Sequence, residues 1–438
     1  MSFQKEFIWG VSSAAYQLEG AYKEDGKGPG IWDALSDGHV KRNENGNEAC
    51  DHYHRYKEDV ALMKKMGLKA YRFSVSWPRI MPKEGVVNEK GIRFYQNLVR
   101  ELREAGIAPM CTLFHWNLPL WLHEKGGWAC AEISEHFAAY VKVVVQALSD
   151  QVSWWMTINE PACFIGLGYL DGIHAPFEKH GVDDAIFPVL VKNVLLSHGK
   201  AVQTIRREAR TEPKIGMALN AWVYIPAKET EEEIRRAEEA TFAEKNYAFG
   251  YNLWADPMIK GVPSSFMEGK ISEAEMKVIH QPLDFFGFNS YNANNYDGNG
   301  VFEEEAYRGM PRNTLEWPIT PEILYWNIRY LYERYGLPIL ITENGMANLD
   351  FVMDDGKVHD PQRITYMSRY LRCVKRAVEE GFPVLGYMCW SIMDNFEWAD
   401  GYGTRFGLIY VDYRTQQRTL KDSAYWYAEV IRKNGENI

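Results

Sequence analysis

The chain alternates short apolar runs with longer amphipathic stretches eight times over, and few folds accept that pattern. The runs are Phe7–Val11, Ala70–Trp77, Ala108–Trp116, Ser153–Glu160, Lys214–Asn220, Asp284–Tyr291, Pro338–Glu343 and Val384–Ser391. Most are nearly continuous hydrophobics, as in PMCTLFHW, PILITEN and VLGYMCW, which suits strands covered on both faces. Between and after them, His54–Met66, Glu89–Ala105, Ser134–Leu148, Asp183–Ala209, Thr230–Tyr251, Thr320–Tyr335, Pro361–Glu380 and Lys421–Lys433 carry helical spacing. Ser134 stands where a cap would, and Pro361 opens a helix. Gly67, Gly106, Gly336 and Gly381 end helices just ahead of the next strand. Eight β-then-α units without a composition break predict the α/β class. The expected architecture is a single (β/α)8 TIM barrel with elaborated loops at its C-terminal face, one domain over 1–438. A doubly wound sheet is the runner-up. The stretches Ala162–Gly181, Asn292–Gly300 and Asn395–Gly407 read as long surface loops, and the charged run Lys228–Lys245 as a solvated helix face.

Charge narrows the partners. Lys and Arg number 49 against 59 Asp and Glu, a net charge of −10. No basic stripe or basic amphipathic helix is present, so neither a nucleic acid nor a membrane surface is expected as partner. No apolar run is long enough to span a bilayer, and MSFQKEFIWG lacks the basic-then-apolar pattern of a secretory leader. A cytoplasmic protein is the expectation, with room for a homo-oligomer. Six cysteines without a CxxC pair read as reduced thiols. Glycine clusters such as GLGYLDG lack the GxGxxG spacing between strand and helix, so no dinucleotide site is expected. No cofactor and no metal site is expected, and His52 and His54 read as helix-surface histidines. The count of 15 Trp is high. Part of it is core, and part suits a ligand with flat apolar faces, of which a sugar ring is the common example.

In a (β/α)8 barrel the chemistry sits at the C-terminal ends of the strands. Reading those ends in order finds Gln17 after the first strand, Arg72 and Trp77 on the second, and His115 with Trp116 on the third. Asn159 and Glu160 end the fourth strand and Asn220 the fifth. Asn289 and Tyr291 end the sixth, Glu343 and Asn344 the seventh, and Trp390 the eighth. Glu160 and Glu343 directly end apolar runs. A carboxylate aimed into a barrel mouth is costly unless its charge is compensated or used. Two of them facing across the mouth form the pair that carries glycoside hydrolysis. Arg72 is placed to keep one ionised. Structural or metal-binding carboxylates remain the alternative at this level.

The same residues lie in motifs that resemble glycoside hydrolase family 1, the β-glucosidase family, over essentially the whole chain. The motifs are FIWGVSSAAYQLEGA, GKGPGIWD, YRFSVSWPRI and TLFHWNLP, then WMTINEP at Trp155–Pro161, ITENG at Ile341–Gly345 and WSIMDNFEWADGYGTRFGLIYVD at Trp390–Asp412. The resemblance implies a retaining β-glycosidase that releases terminal β-D-glucosyl residues. It makes Glu343 the nucleophile and Glu160 the acid/base, with Arg72, Tyr291 and Asn289 beside them. It implies that Gln17, His115, Trp116, Asn159, Trp390, Glu397, Trp398 and Phe406 bind the sugar and that Trp317 lines the aglycone side. Glu397 in that role disfavours a 6-phosphate. Activity on β-galactosides, β-fucosides or 6-phospho-β-glycosides, or a silent sugar-binding homologue, are the alternatives; both carboxylates are present, which favours an enzyme. Ala162, Asn117 and Phe177 depart from the family's usual residues, and Ala162 and Phe177 border the aglycone entrance.

Overall fold

The computed structural model describes residues 3–296, 302–303 and 309–438. Eight parallel strands close a barrel: β1 (Ile8–Ser12), β2 (Ala70–Ser74), β3 (Ala108–Phe114), β4 (Trp154–Asn159), β5 (Lys214–Leu219), β6 (Phe286–Asn289), β7 (Ile339–Asn344) and β8 (Val384–Trp390). Each pairs with its neighbours in chain order, and β8 returns to β1, with Ser12 level with both Arg72 and Trp390. That closure is the predicted (β/α)8 architecture and excludes an open doubly wound sheet. The outer layer includes α1 (His52–Lys65), α2 (Glu89–Glu104), α3 (Ile133–Leu148), α4 (Ile186–Glu208), α5 (Glu231–Thr241), α6 (Glu322–Tyr335), α7 (Pro361–Glu379) and α8 (Asp422–Arg432). Gly67, Gly106, Gly336 and Gly381 take φ of 73, 78, 68 and 94°, the left-handed conformation that ends a helix cheaply only with glycine.

A strand shows successive residues to opposite faces, so a barrel interior reads in steps of two. Ala70, Met110, Met156, Phe285, Leu340 and Met388 form a dry floor. Two residues further on stand Arg72, Thr112, Thr342 and Trp390, which face the mouth. The alternation is broken twice, each time beside an acid. Continued from Leu340, it would turn Asn344 inward and Glu343 outward. The pairings of β7 with β6 and β8 slip after Ile341, and an irregularity of this kind re-aims a side chain. Glu343 therefore meets Arg72 and Tyr291. Asn344, expected at the mouth, instead bonds the Ser290 carbonyl, Tyr366 and Tyr387. A matching slip between Met156 and Asn159 in the β4–β5 pairing brings Asn159 to Arg72.

Several sequence expectations need correction. Ala162–Leu170 is a largely buried π-helix, not a surface loop. It is apolar nearly all round, so no helical stripe marks it, and a side chain at Gly166 would strike the Phe249 ring at 2.8 Å. The Asn395–Gly407 stretch is also largely buried. Ser134 lies inside α3, where it accepts from Lys200 Nζ at 2.8 Å, and does not cap it. The Thr230–Tyr251 helix stops at Thr241 and breaks into short 3-10 and α turns. Trp77 leaves the mouth for the outer core, stacked on Tyr140 at 4.9 Å. His52 is buried against Asp59 at 2.7 Å, and of these two histidines His54 alone lies at the surface. Within Asn292–Gly300, Asn294–Tyr296 forms a short strand, while 297–300 lies outside the described residues, as do Met1 and Ser2.

Buried charges anchor the loop after β8. Lys421 donates to Asp350 and Asp394 at 2.6 Å each, Arg405 to Asp394 at 2.6 Å, and Arg363 to Asp350 at 2.6 Å and to Asp360. Three acids and three bases balance, so none is left as an uncompensated buried charge. The network ties the loops after β7 and β8 to the start of α8, and so places Glu397, Trp398 and Phe406.

Candidate active site

The barrel mouth holds a cleft of about 480 Å³, a size suited to a small ligand. Of the residues singled out from sequence, His115, Trp116, Glu160, Asn289, Tyr291, Trp317, Glu343, Trp390, Glu397, Trp398 and Phe406 line it, as does Asn220. Gln17, Arg72 and Asn159 are wholly buried and bonded to lining residues. Three cleft residues hold positive φ, at 71° (Trp116), 45° (Glu160) and 47° (Trp398). Non-glycine residues in that region cost about 1–3 kcal/mol each, and such strain gathers at functional sites.

One buried guanidinium organises the polar groups. Arg72 donates from Nη1 to Glu343 Oε1, from Nη2 to Asn159 Oδ1 at 2.6 Å and from Nε to Thr112 at 2.9 Å. Arginine only donates, so the Asn159 amide is oriented with Oδ1 toward it. Asn289 Nδ2 must then be the donor in its 3.0 Å bond to the same Oδ1, and the same Nδ2 donates to Glu160 Oε1. Asn159 Nδ2 lies 3.2 Å from His115 Nε2, which must accept. Burial, then the Arg72 charge, hold His115 well below the usual imidazole range. It is therefore neutral with its proton on Nδ1. That Nδ1 and Gln17 Oε1 have no hydrogen-bond partner among the described residues, and a buried polar atom without a partner calls for one.

The two acids sit three strands apart with unlike partners. Glu343 has a cation and a phenol: Arg72 on Oε1 and Tyr291 Oη on Oε2 at 2.6 Å. Burial raises its pKa, and the Arg72 charge and the Tyr291 hydroxyl oppose that rise. Glu160 has an amide on Oε1 and a thiol, Cys163 Sγ, 2.9 Å from Oε2. Burial, then the Glu343 charge, push Glu160 up to about 7, against weaker pulls from Cys163, Asn289 and Arg72. On balance both carboxyls lie above the ordinary carboxylate value, but only Glu343 is bonded to a cation that opposes that rise, and two acids with such unlike partners can divide nucleophilic and general-acid work at one centre. Burial also pushes Glu397 well above the usual range, and Asp400, Glu343 and Glu160 add to it. Among the described residues lining the cleft there is no Lys or Arg.

Aromatic rings form the walls. His115 stacks with Trp390 (6.0 Å, 19°) and Trp398 (6.0 Å, 11°). Tyr291 contacts both Trp317 (5.5 Å) and Phe406 (5.9 Å). Among the lining residues that sequence reasoning did not single out are Trp222, Phe249 and Cys163. Trp222 is 45% exposed and lies flat on Phe249 at 4.8 Å and 4°. Its signal was a lone Trp two residues after the strand-end Asn220. Cys163 was read only as a reduced thiol, although it follows Glu160 by three residues.

A closed parallel barrel with two unlike buried acids in an aromatic cleft at the strand C-termini defines a class, the barrel proteins of the paired-carboxylate type. Within that class the chain belongs to glycosyl hydrolase family 1, whose model matches residues 1–436. It is 41% identical over 447 residues to the 1,4-beta-D-glucan glucohydrolase of Thermotoga neapolitana, covering 99% of each chain. It is 42% identical over 460 residues to beta-glucosidase A of Acetivibrio thermocellus, again covering 99% of each. The solved structure of the beta-glucosidase from Thermotoga maritima in complex with glucoimidazole superposes with a TM-score of 0.90 at 40% identity, covering 99% of both chains.

Proposed function

We propose that this protein is a retaining β-glucosidase, one catalytic domain over 1–438 that releases the terminal non-reducing β-D-glucosyl residue from β-glucosides or short oligosaccharides. The observation that carries the reading is the unlike partnering of Glu343 and Glu160. In this mechanism ionised Glu343, steadied by Arg72 and Tyr291, attacks the anomeric carbon while neutral Glu160 protonates the leaving oxygen. Forming the glycosyl ester removes the Glu343 charge, which is the second cause of the raised Glu160 pKa. Glu160 then becomes a better-matched anion and takes a proton from the water that hydrolyses the ester. The His115 Nδ1 proton and Gln17 Oε1 suit one accepting and one donating sugar hydroxyl. Trp390 supplies an apolar face, and Asn159, Glu397 and Trp398 complete the sugar site. A cytoplasmic location fits this reading, as does a small-molecule glycoside partner.

Phosphorylated sugars fit poorly. The cleft holds Glu160, Glu343, Glu397 and Asp400 and, among the described residues, no lining cation, whereas phosphate recognition calls for one. Initial rates on a panel of aryl β-glycosides test the reading. The glucoside is expected to exceed the galactoside and the 6-phosphoglucoside in kcat/KM, the latter by roughly 10²-fold or more. A phosphoglucoside preferred over the glucoside would overturn it.

The outer cleft suits a flat aglycone. Trp222 with Phe249 forms one aromatic wall, and Trp317 with Phe406 and Tyr291 another. Trp222→Ala is expected to raise KM for cellobiose and nitrophenyl β-glucoside by about three- to tenfold, the worth of one stacking contact. Methyl β-glucoside, whose leaving group is too small to reach the indole, serves as the control. An equal rise on all three substrates would assign Trp222 to scaffolding instead.

A further inference from the structure

We propose that Cys163 is a positioning residue for Glu160, a two-way hydrogen-bond partner that holds Oε2 in place whether or not it carries the proton. The proposal rests on the reading of Glu160 as acid/base. Oε1 accepts from Asn289 Nδ2, whose orientation is dictated through Asn159 by Arg72. Oε1 therefore stays the carbonyl-like oxygen, and the transferable proton sits on Oε2. The group at Oε2 is the Cys163 thiol, at 2.9 Å.

The local fold sets this contact. Glu160 is left-handed at φ 45°, and its backbone N–H is bonded across to the Ala218 carbonyl of β5 at 2.8 Å. The chain then enters the π-helix, whose second residue is Cys163. Asn220, from the end of β5, donates Nδ2 to Cys163 Sγ at 3.4 Å. That donor occupies a sulfur lone pair, which leaves the S–H free to point at Glu160. Burial, then the Glu160 charge, hold the thiol well above its usual pKa, so it keeps its hydrogen at neutral pH.

Sulfur suits a group that must release and recover a proton. The S–H donates to the carboxylate, and when Glu160 is protonated the sulfur can accept. It is weak in both roles, so neither state is locked. A hydroxyl here would bind the carboxylate more strongly and hold the anion too well for acid work. The other charged or titratable groups that act on Glu160 are Glu343 on β7, Arg72 on β2, Tyr291 after β6, Glu397 after β8 and Tyr251 after β5. None of them is removed by a change at position 163.

The test is the pH dependence of kcat/KM on an aryl β-glucoside for the wild type, Cys163→Val and Cys163→Ser. The alkaline limb reports loss of the Glu160 proton. Removing the S–H donor destabilises the anion, so the valine variant should move that limb up by about half to one pH unit. Serine, the stronger donor, should move it down, with the acid limb unmoved in both. A merely structural role would lower rates without splitting the limbs in opposite directions. Alkaline limbs coincident with the wild type, or displaced the same way in both variants, would overturn the assignment; should the valine variant not fold, the serine limb alone decides. A wild type inert on every aryl β-glycoside would instead overturn the functional reading itself, and this role with it.

Discussion

Glu343→Ala is expected to lower kcat/KM on an activated aryl β-glucoside by on the order of 10⁴-fold or more, because in the proposed mechanism it removes the attacking atom itself. Stability should also fall, because Glu343 is the carboxylate paired with the buried Arg72, and its removal leaves that charge bonded only to the neutral Asn159 and Thr112. The informative measurement is rescue. Azide enters the space of the lost side chain, attacks the anomeric carbon from that face and yields the α-glycosyl azide. Near-normal turnover by the variant, or a rescued product of β configuration, would remove Glu343 from the nucleophile role.

Glu160→Ala should act through the leaving group. A poor leaving group needs the proton, and its loss is expected to cost about 10²–10⁴-fold in kcat/KM. A dinitrophenolate needs little help to depart, so kcat/KM for that glucoside should fall far less. Its kcat should drop as ester hydrolysis, now without a base, becomes limiting. Azide should restore turnover and give the β-glycosyl azide, since it attacks the ester intermediate from the face Glu160 occupied. Equal losses on good and poor leaving groups would end the acid assignment.

The barrel was legible because a strand covered on both faces must be apolar throughout, and eight such runs stand out against amphipathic helices. Glu160 and Glu343 were legible because an acid closing an apolar run is costly, and the motifs around them confirmed the family. Which neighbour faced the mouth was not legible. Asn344 and Glu343 are adjacent, and only a pairing slip turns the acid inward and the amide outward. Ala162–Leu170 was misread because a helix buried all round shows no stripe. His52 was misplaced because its partners, Asp59 and beyond it Arg418, come together only through the fold. Cys163 escaped for a similar reason. Its spacing from Glu160 means nothing until a left-handed residue and a π-turn fold the thiol back onto the carboxyl. Trp222 was missed because an aromatic in an apparent loop gains meaning only when Phe249, 27 residues later in the chain, stacks beneath it.

The mechanism proposed for the two acids, which is that of the family, has two displacements at one carbon, and therefore retention. Following hydrolysis of an aryl β-glucoside by proton NMR, before mutarotation equilibrates the product, reads this out on the unmodified enzyme. The anomeric signal of β-glucose should appear first, and that of α-glucose only later, as mutarotation proceeds. α-Glucose as the first-formed product would mean a single displacement, with Glu343 activating water instead of attacking carbon, and would contradict the mechanism proposed for this site.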